Sequence, residues 1–334
     1  MRARDLGIAI GDGAPAAKNA ITDVAGVRVG HTTLIEGDSV RTGVTMVVPP
    51  ETPLIAGCHR LNGNGELTGL EWVRESGFLT TAIGITNTFS VGVVRDAIAA
   101  ASADEDAWSL PVVGETFDGF LNDIRGQHVT AEHAHAALEG SHDGKVEEGS
   151  VGGGTGMVCH ELKGGIGTSS RTVDGYVVGV LVQANYGRRA RFRVDGVPVG
   201  RLIGDRIPLP AEGAEAGSII GIVATDAPLL PHQCDRLAQR AGLGVGRMGG
   251  TAAHTSGDIF LSFATGNRAL AGDGEIPLRM LSDREISPFY DAVIESTEEA
   301  ILNALLAAET MTGRDGNTVY ALEPELLVDV LRQF

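Results

Sequence analysis

Arg247-Met248-Gly249-Gly250-Thr251 places a hydroxyl residue directly after two glycines, well inside a chain of 334 residues. Scission of the Gly250–Thr251 bond would leave a threonine whose free α-amine sits beside its own hydroxyl, so nucleophile and base would share one residue. The chain would then consist of residues 1–250 and 251–334. Attack of the Thr251 hydroxyl on the preceding carbonyl needs a distorted residue 250, and glycine, lacking a Cβ, distorts most easily. The freed α-amine would have an unperturbed pKa of roughly 8, well placed for a general base at neutral pH. Ala252 and Ala253 follow and are small, which leaves room for a substrate. Taken alone, the same five residues read more readily as a turn threonine after a glycine pair.

Working outward, Ser256-Gly257-Asp258 and His254 hold the residue types of a serine triad. No Gly-x-Ser-x-Gly elbow accompanies them, so this is a minor alternative. Gly242-x-Gly244-x-Gly246 follows a helical pattern, whereas a dinucleotide fingerprint follows a strand. Gly152-Gly153-Gly154-Thr155-Gly156 lacks the Gly-Lys-Ser/Thr ending of a phosphate loop. Both runs read as turn or close-packing glycines. His133 and His135, two apart, diverge on a helix, and neither His-Glu-x-x-His nor paired Cys-x-x-Cys occurs. They read as exposed helical histidines, and no metal site is expected.

The formal charge of −17 argues against nucleic acid or an anionic membrane as partner, since both need a basic face. Hydrophobic content of 43% with only 4% aromatic predicts a core of Val, Ile, Leu and Ala, and 47 glycines predict many tight turns. Cys58, Cys159 and Cys234 are odd in number and scattered, which suits reduced, buried thiols in a cytoplasm. No apolar segment follows the first residues as in a secretory signal. The longest apolar run, near Tyr176–Val182, is too short to span a bilayer.

Strands are expected at Val44–Val48, Ala82–Thr86, Gly175–Gln183, Ser218–Thr225 and Asp258–Ala264. Helices are expected at Glu66–Ser76, Val91–Ala103, Asp118–Arg125 and Ala131–Leu138. Pro228 marks the start of a helix running to Ala241 and stopping at Gly242, and Ser287-Pro288 starts another running to about Thr310. Glu139–Gly149 reads as an exposed loop. The order lacks a regular β-α-β-α cadence, so sheets layered with helices are expected rather than a regular parallel α/β fold.

Several segments together resemble one family, the self-processing hydrolases of the L-aminopeptidase/D-amidase-esterase and β-peptidyl aminopeptidase group. They are Asn19-Ala20-Ile21-Thr22-Asp23-Val24-x-Gly26-Val27-x-Val29-Gly30-His31, Leu61-Asn62-Gly63-Asn64-Gly65-Glu66-Leu67-Thr68-Gly69 and Thr86-Asn87-Thr88-x-Ser90-Val91-Gly92. Val113-Gly114-Glu115-Thr116, Lys163-Gly164-Gly165-Ile166-Gly167-Thr168 and Gln183-Ala184-Asn185-Tyr186-Gly187 continue the series. The Gly-Gly-Thr junction with Ser256-Gly257-Asp258-Ile259, and Thr297-Glu298-Glu299-Ala300, complete it. The matches run in consistent order over nearly the whole chain.

The resemblance implies an α/β fold, a four-layer αββα sandwich, forming one catalytic domain over 1–334 that cuts itself before the nucleophile. By position, Thr251 is the nucleophile and its amine the base, and Asn185 supplies an oxyanion donor. Ser296 and Glu298 match a Ser-x-Glu pair that orients the nucleophile, in competition with a solvated helix face. Two residues depart from the pattern: Thr251 stands where characterised members commonly have Ser, and Phe117 stands where Tyr is expected. Phe117 and Asn122 are expected to line the substrate pocket. The implied substrate is a small peptide, amide or ester, with L-, D- and β-residues all open. No cofactor is implied, and a homotetramer of cut protomers is. Two rivals stay open: an acyltransferase like the ornithine acetyltransferases, and a binding protein that never cuts itself.

Overall fold

A computed structural model of the chain describes residues 1–101, 108–211 and 217–333. In chain order, β1 (Arg28–Glu36), β2 (Val40–Val48) and β3 (Leu54–Gly63) lead into α1 (Leu70–Ser76). Then come β4 (Phe78–Leu79), β5 (Ile83–Asn87), α2 (Val91–Ala100), β6 (Val112–Thr116) and α3 (Ala131–Glu139). The short hairpin β7 (Val158–Cys159) and β8 (Leu162–Lys163) precedes the long hairpin β9 (Gly165–Val173) and β10 (Tyr176–Asn185). Next are α4 (Val199–Ile203), β11 (Ser218–Thr225), α5 (Pro231–Arg247), β12 (Gly257–Ala264) and α6 (Ser287–Ala307). A hairpin of β13 (Met311–Thr312) and β14 (Thr318–Val319), then α7 (Pro324–Leu331), completes the described chain.

Two sheets carry the fold. One has the order β1-β2-β5-β6 and the other β4-β3-β12-β11-β10-β9. β5 pairs parallel with β6 and β11 parallel with β12, while the remaining pairs are antiparallel. Side-chain alternation sorts each strand between layers. Ile220, Ile222 and Ala224 of β11 join Ile259, Leu261 and Phe263 of β12 in the cluster between the sheets, where Val47, Ile83 and Ile85 meet them. Ile219, Val223 and Phe260 face the other way, into the cluster that α5 and α6 cover. Val44, Met46 and Val48 of β2 pack against Val94, Ile98, Ala134 and Ala137 of α2 and α3. The layers therefore run helix, sheet, sheet, helix. This is the expected αββα sandwich.

Several local expectations need correction. Asp118–Arg125 is not a helix. The Asp118 carbonyl accepts from Leu121 and Asn122 N–H while its carboxylate accepts from Asn122 Nδ2 at 3.0 Å, and only Ile124–Gly126 is helical, as a 3-10 turn. The next amide, Asp123 N–H, leaves the helical pattern and donates to Ser39 O at 2.7 Å. α1 starts at Leu70 rather than Glu66, after Gly69 at φ +74°. α2 ends at Ala100, and the expected end at Ala103 lies outside the described residues. α5 begins at Pro231, where Gln233 Oε1 accepts from Leu230 N–H at 3.1 Å, and it runs through Gly242 to Arg247. Gly242 therefore does not end the helix, and further along a Cβ on Gly244 would stand 2.6 Å from Thr297 Cβ, so that glycine lets α5 approach α6. α6 stops at Ala307, short of Thr310. Glu139–Gly149 is only partly an exposed loop: Val146 is buried and Glu148 pairs with Arg2 at 2.7 Å.

Candidate active site

α5 delivers the chain to the junction, and its last turn continues past the helix. Gly249 N–H donates to Gly246 O at 3.0 Å and Gly250 N–H to Val245 O at 2.9 Å. Gly249 lies at φ +97° with the Arg191 carbonyl 1.9 Å from the point where a Cβ would stand, so only glycine fits. On the far side Ala252, which has a Cβ, also lies in the left-handed region at φ +45°. That conformation costs of order 1–3 kcal/mol for such a residue. The Gly250–Thr251 bond is thus flanked by left-handed backbone on both sides. Thr251 is exposed, and its Oγ1 accepts from Arg191 Nη1 at 2.7 Å.

Thr251 stands at a cavity of about 390 Å³ lined by Tyr186, Arg188, Arg191, Ser256 and Asp258 among others. A second cavity of about 600 Å³, with Asn64, Glu66, Thr88, Glu115 and Phe117 in its wall, shares Gly217 and Thr255 with the first. Glu115 is buried there, accepts from Glu66 N–H at 3.0 Å and from the Thr88 hydroxyl, and burial raises its carboxyl above the usual range. One lobe therefore offers a hydroxyl among arginines and the adjoining lobe offers carboxylates.

Asn185 ends β10 and is buried. Its Oδ1 accepts from Val158 N–H at 2.7 Å and its Nδ2 donates to the Phe117 carbonyl at 3.0 Å, which fixes the amide orientation. The next residue, Tyr186, places its ring 2.8 Å from the position of a Cβ on Gly250. The Tyr186 hydroxyl is buried without a hydrogen-bond partner among the described residues, and burial, with Cys159, Asp258 and Glu298 nearby, pushes its pKa well up. It stays a neutral donor beside the junction.

Ser296 and Glu298 are fully buried on α6, so the solvated-face alternative is wrong. Glu298 accepts from Asp195 N–H at 2.9 Å and pairs with Arg247 Nε at 2.6 Å, in the last turn of α5. Burial raises its carboxyl while Arg247 opposes the rise. Ser296 Oγ has no hydrogen-bond partner among the described residues. Neither residue bonds the Thr251 hydroxyl, which Arg191 holds instead. Phe117 lines the second cavity, whereas Asn122 is buried away from both, accepting from Arg41 N–H at 3.0 Å and steadying Asp118.

The triad alternative fails on geometry: Ser256 bonds Asp258, and among the described residues the His254 side chain makes no hydrogen bond or ion pair with either. The glycine run 152–154 is a buried 3-10 turn, in keeping with close packing. His133 and His135 lie on α3 but are half-buried rather than exposed. The three cysteines are free and buried. Tyr186, Arg191, Arg247 and Glu115 are the site residues the sequence left without a role. Tyr186 and Glu115 already lay inside recognisable segments, while the arginines carried no spacing signal.

Residues 19–319 match the sequence model of Peptidase family S58. The chain belongs to that family. This S58 peptidase is 45% identical to a β-peptidyl aminopeptidase of Sphingosinicella microcystinivorans, over 100% of the chain and 92% of the relative. A β-aminopeptidase structure from a Burkholderia species superposes with a TM-score of 0.94 at 52% identity, covering 100% and 99% of the two chains. The L-aminopeptidase/D-Ala-esterase/amidase of Ochrobactrum anthropi, described as a prototype for the serine aminopeptidases and a variant of the Ntn hydrolase fold, superposes with a TM-score of 0.92 at 41% identity. Coverage there is 99% of this chain and 98% of that one. The S58 peptidase has the N-terminal-nucleophile hydrolase fold and is an aminopeptidase. The acyltransferase alternative is not favoured. Among the described residues no helix is long and apolar enough to cross a membrane.

Proposed function

We propose that the peptidase cuts its own Gly250–Thr251 bond and then removes N-terminal β-amino residues from short peptides or amides, with Thr251 as nucleophile. The observation that carries this is Thr251 itself. It is an exposed hydroxyl at the mouth of a cavity, at a junction whose backbone is left-handed on either side. In the cut, Thr251 Oγ1 bonds the Gly250 carbonyl carbon, the C–N bond breaks and the nitrogen takes the hydroxyl proton. Water then hydrolyses the ester, leaving a carboxylate on Gly250 and an ammonium on Thr251.

In catalysis the Thr251 ammonium first loses a proton to solvent; the neutral α-amine accepts the hydroxyl proton as the substrate carbonyl is attacked, returns it to the leaving amine, and water then hydrolyses the acyl-enzyme. Asn185 Nδ2, oriented by Val158 and Phe117, donates to the oxyanion. Ser296 and Glu298 orient the new terminus once the cut has freed it from residue 250. The Glu115 carboxylate receives the substrate ammonium in the adjoining lobe, beside Phe117. The β-residue assignment rests on the names of relatives at 45% and 52% identity. The buried thiols fit a reducing cytoplasm, and the family resemblance adds a homotetramer to the proposal.

A panel of p-nitroanilides carrying β-, L- and D-residues tests the substrate class. The highest kcat/KM is expected for a β-residue. An L-residue preferred by tenfold or more, about 1.4 kcal/mol in transition-state binding, would reverse the assignment.

A further inference from the structure

Six arginines crowd the segment from Arg188 to Arg206 in a chain whose formal charge is −17. Arg189 is buried and spent on backbone carbonyls, among them Ile207 O at 3.1 Å. Arg191, Arg193 and Arg201 instead line a partly open cavity of about 200 Å³ whose opposite wall is Gly249, Gly250 and Thr251. Their bonds go to a hydroxyl and to carbonyls: Thr251 Oγ1 at 2.7 Å, Gly196 O at 3.0 Å and Ala190 O at 3.3 Å. Among the described residues none of the three pairs with a carboxylate. Guanidinium forks are the side chains best matched to a carboxylate.

The tail of α5 is pinned to this cavity by bonds that do not involve the Gly250–Thr251 linkage. Arg193 N–H donates to Met248 O at 3.1 Å, and Gly250 N–H donates to Val245 O at 2.9 Å. Residue 250 is therefore held at the cavity wall whether or not the next bond exists. A carboxylate there would stand at a helix C-terminus, where the backbone dipole disfavours negative charge and nearby cations offset it.

We propose that the arginine cavity is a carboxylate site that captures the Gly250 α-carboxylate produced by self-cleavage, holding the new C-terminus clear of Thr251. The inference rests on the proposed cut. One water is consumed in that cut, and the carboxylate is born in the cavity wall. Capture also removes Arg191 from the Thr251 hydroxyl, so the nucleophile is freed as its former neighbour is bound.

The test uses mature enzyme, Arg193→Met and Arg201→Met, and a broad-specificity carboxypeptidase, with intact mass read before and during digestion. The mass before digestion reports the cut, and the C-terminus of 251–334 serves as internal control. Both variants are expected to cut fully. Trimming of 1–250 should run about tenfold or more faster than in wild type, because the open end is more populated, with the control end unchanged. Arg201→Lys should lie between. Equal trimming of 1–250 in all four proteins would overturn the capture while leaving the cut intact, and an uncut wild-type chain would overturn both. Should the variants instead lose a preference for dipeptide acids over dipeptide amides with trimming unchanged, the cavity serves the substrate carboxylate and the Gly250 assignment fails.

Discussion

Under the proposed mechanism, Asn185 is a side chain prepared for one task. An amide free to flip would present oxygen as often as nitrogen to a developing oxyanion. Val158 N–H takes the oxygen and the Phe117 carbonyl takes one N–H, so the amide has a single orientation. Losing such a donor typically costs about 3 kcal/mol of barrier. Asn185→Ala is therefore expected to lower kcat by roughly 10²–10³ with a much smaller change in KM, measured on the best p-nitroanilide. A fall confined to KM would move Asn185 from catalysis to binding. At this scale the glycine turn before Thr251 was legible in the residues themselves, whereas its reading as a cleavage junction came from the resemblance of the segments around it. The environment of Ser296 and Glu298 was not legible. Charged residues are rarely fully buried unless paired, so a solvated face stayed in competition with the Ser-x-Glu reading. Their neighbours on α6 are Glu295 and Glu299, and the cations that pair with these acids come from far along the chain: Arg247, Arg171 and Arg4.

The elements beside the junction, α5 and α6, meet through Gly244, and this contact sets the position of the helix carrying Ser296 and Glu298. A side chain at 244 meets Thr297 Cβ and the Ile294 carbonyl, which stands 2.7 Å from the Cβ position. Backbone cannot yield as a flexible side chain does. Gly244→Val is expected to destabilise the protein by about 1–3 kcal/mol in denaturant titration and to slow turnover by displacing α6. Unchanged stability would show that the two helices separate easily. The sequence misread the end of α5 because Gly242 in a helix pattern resembles a stop, and only its packing against Leu61 and Phe260 of the sheet shows it to be an interior position of the helix. It also did not mark β9, whose Gly165-Ile166-Gly167-Thr168-Ser169-Ser170-Arg171 is polar for a strand under a helix. Its polar groups are satisfied by the N-terminal segment: Asn19 Oδ1 accepts from Ser169 Oγ at 2.9 Å and from Ser170 N–H at 3.0 Å.

Across the whole molecule, the two proposed pieces are interlocked. β12, in 251–334, pairs with β3 on one side and β11 on the other, both from 1–250. α6, from the same piece, is tied by buried ions: Arg171 Nη2 reaches Glu299 at 2.8 Å and Arg171 Nε reaches Glu295 at 3.1 Å. Arg4 reaches Glu299 at 3.0 Å. Arg171→Met leaves two carboxylates short of a partner and is expected to cost about 3 kcal/mol in denaturant titration. A loss below about 1 kcal/mol would show that Arg4 and Asn19, whose Nδ2 also donates to Glu299, suffice for that carboxylate. The layered architecture was legible because β-branched runs and motif order both pointed to it. The interlock was not, since apart from the β11–β12 pair it joins residues separated by more than a hundred positions.

The central claim is one peptide bond. Intact mass of the purified protein under denaturing conditions, with N-terminal sequencing of the smaller species, tests it most directly. The account predicts two polypeptides, 1–250 and 251–334, the second beginning Thr-Ala-Ala, and a single uncut, inactive chain from Thr251→Ala. A wild-type chain that stays whole and hydrolyses no amide in the panel would contradict it and leave a non-cleaving binding protein in its place.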